Sequence, residues 1–168
     1  MAHGSRYWRH IVTDHHTVRR IFSADALSRI EHAIADSEKT HGGQIVFAVE
    51  PALPLGRVHH KLSPRERALE VFGLLRVWDT EHNNGVLIYL LLAERAIEIV
   101  ADRGLSQRVD PGEWQRIVSR MGSAFKQGRV EDGLTQALEE VSALLVVHFP
   151  LAPGDADRNE LPDEPVLG

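Results

Sequence analysis

Two short runs of apolar residues lie near the middle of the chain and are separated by three residues. Val86 to Leu92 is uninterrupted, whereas Ala96 to Ala101 alternates apolar with other residues. Such runs are typical of strands, and so short a connection predicts an antiparallel hairpin. Pairing Leu92 with Ala96 would place Val86 opposite Asp102. The polar loop before the first strand is therefore expected to lie beside the residues that follow the second.

The preceding segment predicts a helix, a strand and a second helix. Ser23 is a typical N-cap for a helix that ends near Lys39, before the strand Gln44 to Glu50 and a proline-containing loop. Ser63-Pro64 with Glu66 predicts the start of the next helix. Its core face is expected to consist of apolar positions in that helix and just after it: Leu69, Phe72, Leu75 and Trp78. A strand, a helix and another buried strand predict a right-handed βαβ crossover with parallel strands.

Two more amphipathic helices are predicted in the C-terminal half of the chain. The first begins at Asp110-Pro111 and ends at Gly128, and the second runs from about Val130 to just before Pro150. The fold class is therefore α/β: a three-layer α/β/α sandwich with a small mixed sheet, one βαβ crossover and an antiparallel hairpin. Three strands are clear and a fourth is an open alternative.

The patterns divide the chain into three parts. Residues 1–22 carry an apolar stripe at helical spacing among arginines, which predicts an amphipathic N-terminal helix. The stripe consists of Trp8, Ile11, Val12, His15, Val18 and Phe22. Residues 23–150 form the folded domain. Residues 151–168 combine acids with prolines and glycines, which predicts a disordered acidic tail. The helix is expected to pack on the domain, the alternative being that it lies on an anionic membrane surface.

Composition limits the classes of function. The chain of 168 residues has no cysteine, which excludes disulfides and thiolate chemistry, and its net charge of −5 argues against nucleic-acid binding. No apolar run is long enough for a membrane span and the first residues lack the pattern of a signal peptide, so a soluble, cytoplasmic protein is expected. The adjacent histidine pairs point to different helix faces, which argues against a zinc site.

Oxygen-bearing side chains gather around one end of the predicted hairpin. Carboxylate and amide oxygens are the ligands of hard cations, so Ca²⁺ or Mg²⁺ is the candidate cofactor. The candidate ligands are Asp79, Glu81, Asn83, Asn84 and Asp102. The alternative is that Asn83-Asn84-Gly85 only turns the chain, because Asn and Gly tolerate left-handed backbone angles.

The same region resembles a known family. Roughly from Ser23 to Pro150 the chain is similar to the TPM domain, named for thylakoid-lumen, photosystem-repair and worm receptor-auxiliary members, in a soluble bacterial-type form. The residues that carry the resemblance are Trp78-Asp79, Asn83-Asn84-Gly85-Val86 and Ala101-Asp102-Arg103-Gly104-Leu105.

The resemblance implies an α/β/α sandwich with a divalent-cation site near the turn before the second strand. Acid phosphatase activity is ascribed to the plant thylakoid branch, whereas other branches resemble accessory modules of membrane complexes. The family often has an acid where this chain has Asn83, so Asp79 or Glu81 would have to supply the missing anionic ligand. Gln44 also stands where an acidic residue is common.

Three functions follow as hypotheses. The first is a cation-binding, protein-interaction module whose partner is an unidentified protein, such as a membrane complex. The second is a metal-assisted acid phosphatase in which Arg103 contacts phosphate. The third is a metal-free interaction domain. No residue is placed by a motif as a nucleophile, so catalysis is uncertain and an accessory role is favoured; an enzyme would be a phosphomonoester hydrolase.

Overall fold

The computed structural model describes residues 6, 9, 10, 13–152, 154 and 159–168. Seven helices and four strands are named here in chain order. They are α1 (His15–Ile21), α2 (Ala24–Glu38), β1 (Gln44–Glu50), α3 (Leu55–His59), α4 (Pro64–Leu74), β2 (Gly85–Leu91), β3 (Ala96–Ala101), α5 (Arg103–Ser106), α6 (Pro111–Lys126), α7 (Val130–His148) and β4 (Val166–Leu167). No helix among the described residues is long and apolar enough to cross a bilayer.

The strands form one mixed sheet in the order β3-β2-β1-β4. β1 and β2 are parallel, and β3 returns antiparallel to β2, which confirms the predicted crossover and hairpin. The predicted register was wrong by one residue, because Leu91 pairs with Ala96 and Val86 with Ala101. A 3₁₀ turn takes Leu92 out of the strand and leads to Arg95, which has a left-handed φ of 51°.

Helices cover both faces of this sheet. Alternate residues of β2 point to opposite faces. One side, with Val86 and Ile88, packs against α1, α2, α6 and α7, and the other, with Leu87 and Tyr89, packs against α3, α4 and the C-terminal segment. β2 is buried on both faces throughout its length, which explains its continuous apolar sequence. The three-layer sandwich predicted from the sequence is confirmed.

The core face of α4 agrees with the prediction at Phe72 and Leu75, which are partly buried and pack against the core, and differs elsewhere. Leu69 is 50% exposed and Trp78 is 48% exposed, whereas Ala68 and Val71 are buried. The capping box at the start of α4 sets the helix phase. After the helix, Arg76 has a left-handed φ of 55°, and the chain then buries the side chain of the next residue and exposes that of Trp78. The segment before α4, predicted as a loop, contains the short helix α3.

The C-terminal tail is not disordered over the residues described, 159–168. Gln44 accepts hydrogen bonds from the amides of Glu160 and Leu161, both at 3.0 Å, and Leu161 is buried. β4 then pairs in parallel with β1. For residues 159–168 the prediction of disorder was wrong, because the outer edge of β1 offers unpaired backbone groups that a two-residue strand can satisfy. Residues 153 and 155–158 lie outside the described residues.

The N-terminal segment is not one continuous helix. Asp14 has an extended backbone and caps α1, so the helical pattern is interrupted there. Val18 and Phe22 are buried as the pattern predicted, but His15 is exposed and not part of the apolar stripe. The remaining stripe positions, Trp8, Ile11 and Val12, lie outside the described residues.

The buried His10 connects this segment by hydrogen bonds to the loops that follow β1 and β2. His10 Nδ1 accepts the amide hydrogen of Leu53 at 2.9 Å, so Nε2 carries the ring proton and donates to Glu94, also at 2.9 Å. Arg6 pairs with the same carboxylate at 2.7 Å. Although burial raises the pKa of Glu94, the hydrogen bonds from His10 and Arg6 hold it below its ordinary value.

Candidate functional site

The two acids of the predicted loop, Asp79 and Glu81, make contacts within the loop and with the C-terminal segment. Asp79 is exposed and pairs with Arg76 at 2.6 Å, and the amide of Asp79 donates to the carbonyl of the same arginine. The backbone amide of Glu81 donates to the carboxylate of Glu160 at 3.0 Å. The Asp79 carboxylate therefore has a local partner in Arg76, and the backbone of Glu81 ties the loop to the C-terminal segment.

Asn83 and Arg103 contact each other across the end of the hairpin. Asn83 has a left-handed φ of 52°, as the turn interpretation predicted, and its side-chain oxygen accepts from the Arg103 guanidinium at 3.3 Å. The carbonyl of Asn83 accepts the amide hydrogen of Gly104 at 2.9 Å. A Cβ at Gly104 would collide with the carbonyl oxygens of Asn83 and His82, so this glycine serves close approach and not a positive φ.

Asn84 is fully buried and joins three segments of the chain. Its amide nitrogen Nδ2 donates to the carbonyl of Gly42 at 2.7 Å, and its backbone amide donates to Oγ1 of Thr80 at 3.1 Å. Its side-chain oxygen Oδ1 is buried without a hydrogen-bond partner among the described residues. Asn84 therefore ties the loop after α2 to the start of β2, which the sequence interpretation did not predict.

Asp102 is the cap of α5. Its Oδ1 accepts the amide hydrogen of Arg103 at 2.7 Å, and its own amide donates to the carbonyl of Gly85 at 2.9 Å. Its second oxygen, Oδ2, is buried and has no hydrogen-bond partner in the described part of the chain. Of the predicted ligands, Asn84 and Asp102 are therefore the two with an unpartnered buried oxygen. Within the same residues, no group of three or more His, Asp or Glu side chains could hold a metal ion.

The sequence interpretation did not predict a buried polar cluster at one end of the sheet. It comprises Glu38, His41, Gln44, Thr80 and Asn84, all at the end of the sheet where β1 and β2 begin. Glu38 accepts the amide hydrogen of Ile45 at 2.8 Å, and His41 Nδ1 accepts that of Gly43 at 3.2 Å. Burial lowers the pKa of His41 to about 4. The signal was the polar sequence His41-Gly-Gly-Gln44 leading into the apolar run of β1.

Comparison with known proteins identifies the family. The family model described as the TPM domain matches residues 16–144. The chain belongs to the TPM domain family. Among solved structures, the TPM domain is similar to the NMR structure of the BA42 protein from the psychrophilic bacterium Bizionia argentinensis. The two are 28% identical with a TM-score of 0.76, over 88% of this chain and 95% of BA42.

A second structure supports the fold alone. The N-terminal domain of a protein from P. gingivalis, solved by NMR, is 19% identical with a TM-score of 0.62, over 79% of this chain and 83% of that one. No curated protein matches the chain significantly. The family and fold of this TPM domain are thus established, and its activity has to be inferred from its own residues.

At the opposite end of the sheet, where β1 ends, this TPM domain has an ionic network whose charged groups are hydrogen-bonded to one another. Glu50 accepts two hydrogen bonds from Arg67, at 2.6 and 2.9 Å, and one from the hydroxyl of Tyr89 at 2.5 Å. Burial raises the pKa of Glu50, but the hydrogen bonds from Arg67 and Tyr89 outweigh it and leave the pKa below its ordinary value. Burial and the Glu50 carboxylate raise the pKa of Tyr89. Because these groups form hydrogen bonds with one another, we interpret the network as one that stabilises the fold.

Apolar surface is exposed at the last residue of α4 and just after it. Leu74 is 70% exposed and Trp78 is 48% exposed, and the Arg76 guanidinium lies over the indole at 5.7 Å from the ring centre. We call Leu74, Arg76 and Trp78 the Trp78 surface. Its neighbour Val77 is fully buried and reaches the backbone of Gly85. Val77 therefore anchors the Trp78 surface at the start of β2, the end of the sheet where the buried polar cluster lies.

Proposed function

We propose that this TPM domain is a binding module that docks on a protein partner through the Trp78 surface. The observation that carries the proposal is a large aromatic side chain held half-exposed beside a leucine that is 70% exposed. Exposed apolar groups gathered in one place are typical of interaction sites, and Trp and Arg are the residues that most often dominate binding energy.

The geometry around Trp78 favours binding because the surface is preorganised. The ion pair between Arg76 and Asp79 and the backbone hydrogen bond between the same residues fix the turn that presents the indole. Fixing side chains before association lowers the entropic cost of binding. In this proposal Asp79 acts as a positioning residue for Arg76 and Trp78, in place of the ligand role that the sequence suggested.

We expect Leu74→Ser combined with Trp78→Ser to abolish partner binding without unfolding the domain, because both side chains are exposed. The measurement is quantitative co-purification of the tagged chain from cells of its own organism. The matched control is Val146→Ser with Val147→Ser, two exposed valines on α7. A partner recovered with wild type and control but reduced about tenfold or more with the double variant supports the proposal. Equal recovery with both variants contradicts it.

A divalent-cation site at the end of the hairpin is a second candidate function. It is favoured by the two buried oxygens without hydrogen-bond partners, Asn84 Oδ1 and Asp102 Oδ2, since a hard cation takes oxygen ligands. The guanidinium of Arg103 beside Asn83 opposes it, because a second positive charge there is repelled.

We expect Ca²⁺ or Mg²⁺, added to chelator-treated protein, to raise its melting temperature by a few degrees if this second candidate is right. At a hundredfold excess over Kd, a bound ligand stabilises the folded state by about 2.7 kcal/mol. Asp102→Asn should remove the rise and still fold, because Asn caps a helix as well as Asp. Asp79→Asn is the control and should keep the rise. No rise with either cation, or a rise that Asp102→Asn leaves unchanged, contradicts the site.

Acid phosphatase activity stays a prediction of the family resemblance. Cation-dependent hydrolysis of a generic phosphomonoester at acid pH, lost in Asp102→Asn and in Arg103→Gln, is the measurement that would separate this activity from cation binding alone.

A further inference from the structure

A groove of about 690 Å³ opens on the side of the molecule opposite α3 and α4. It lies between α1, the turn that joins β2 to β3, and the junction of α6 with α7. Its apolar lining includes Ile21, Leu92, Ile97, Phe125 and Val130. This volume lies within the range of pockets that hold small molecules.

Three cationic side chains line the same groove. Arg9, Arg95 and Lys126 come from the N-terminal segment, the hairpin turn and the end of α6, and all three are exposed. The groove lining contains no acidic residue, and none of the three cations pairs with an acid among the residues that the structure describes. The neighbouring acid Glu94 is engaged by Arg6 and His10.

An apolar lining with unneutralised positive charge is complementary to a molecule with an apolar body and an anionic head. We propose that this groove binds a small amphipathic carboxylate of the fatty-acid class. The apolar chain would displace water from the lining formed by Ile97, Phe125 and Val130, while the carboxylate pairs with Arg95 and Lys126. This site is separate from the Trp78 surface and does not depend on the proposed protein partner.

Gly122 gives the proposal a decisive test. It lies within α6 and lines the groove. Among the described residues, the one side-chain atom within 4 Å of a Cβ built on it would be Ile97 Cδ1, at 3.8 Å. A larger side chain at this position would therefore enter the groove without displacing the core. Because glycine is a poor helix former, Gly122→Leu should favour the fold while it fills the site.

The experiment is a titration of the full chain with dodecanoate below its aggregation concentration, followed by calorimetry. We expect one molecule bound per chain, and affinity that rises about two- to fourfold for each added methylene group. Dodecanol should bind about tenfold more weakly, because it lacks the charge. Gly122→Leu should weaken dodecanoate binding at least tenfold, whereas Gly122→Ala should stay within about twofold of wild type.

A charge-matched pair of variants tests the anionic head. Arg95→Gln with Lys126→Gln should weaken dodecanoate binding about fivefold or more, a change that corresponds to loss of favourable ion pairs. Arg19→Gln with Lys61→Gln removes two exposed cations that do not line the groove and should leave binding within about twofold. Undetectable binding at about 1 mM, equal binding of dodecyltrimethylammonium, or unchanged affinity in Gly122→Leu would overturn the proposal.

Discussion

Gly85→Ala is expected to be among the most destabilising single substitutions in this domain. The buried Gly85 begins β2, and a Cβ there would overlap the carbonyl oxygen of Val77 and approach its side chain at 2.9 Å. The obstacle is backbone, so it cannot move aside as the end of a flexible side chain can. We expect the free energy of unfolding to fall by about 3 kcal/mol or more, in the range of severe overpacking.

Equilibrium unfolding in urea measures this change, and Gly73→Ala is the matched control. Gly73 lies in α4, where an added Cβ would have no heavy atom within 4 Å. Its replacement should raise the free energy of unfolding by about 0.5–1 kcal/mol, since alanine favours a helix over glycine. A Gly85→Ala protein within 1 kcal/mol of wild type would show that the Val77 segment can move freely away from β2.

Movement of that segment would also reach the Trp78 surface. Val77 is the residue that fits against Gly85, and Trp78 follows it directly. A variant that folds with a displaced Val77 would therefore carry a displaced indole. The start of β2 and the proposed docking surface therefore meet where Val77 lies against Gly85, a contact that the spacing of residues along the chain does not indicate.

Local patterns sufficed to predict most of the elements. The bounds of β1 and β3 agree with the predicted strands, and the caps at Ser23, Ser63 and Asp110 mark helices where they were expected. These signals depend on residues within one turn or strand of each other, where propensity and capping operate. The three-layer fold followed because the order of the elements leaves few topologies.

The candidate site was harder to predict because its partners are set by long-range packing. Asn84 is engaged by Gly42, and Gln44 by the amides of Glu160 and Leu161, contacts between residues far apart in sequence. In contrast, the Asp79 carboxylate pairs with Arg76, only three positions away. The prediction that Asp79 shares a site with Asp102 did not take this nearby arginine into account. Residue types indicated oxygen-rich chemistry, but the partners of each oxygen depended on the fold.

His41 should make this domain lose stability as pH falls from about 6.5 towards 4. The ring is fully buried, and burial lowers its pKa from 6.5 to about 4. In this pH interval the unfolded chain binds a proton that the folded chain does not, so protonation favours unfolding. The depressed pKa corresponds to a loss of about 3 kcal/mol across the interval, at roughly 1.4 kcal/mol per pH unit.

Urea unfolding at a series of pH values, compared between wild type and His41→Gln, isolates this contribution. Other carboxylates with lowered pKa values, Glu50 and Glu94 among them, also lose their stabilising interactions in acid, but they do so in both proteins and cancel in the difference. Gln retains an acceptor for the amide of Gly43 yet does not titrate in this range. The variant should be less stable at pH 7 and approach or pass wild type near pH 4.5. A difference curve that is flat from pH 7 to 4.5 would mean that the His41 ring takes up a proton in the folded state, and that the cluster at the start of β1 admits charge.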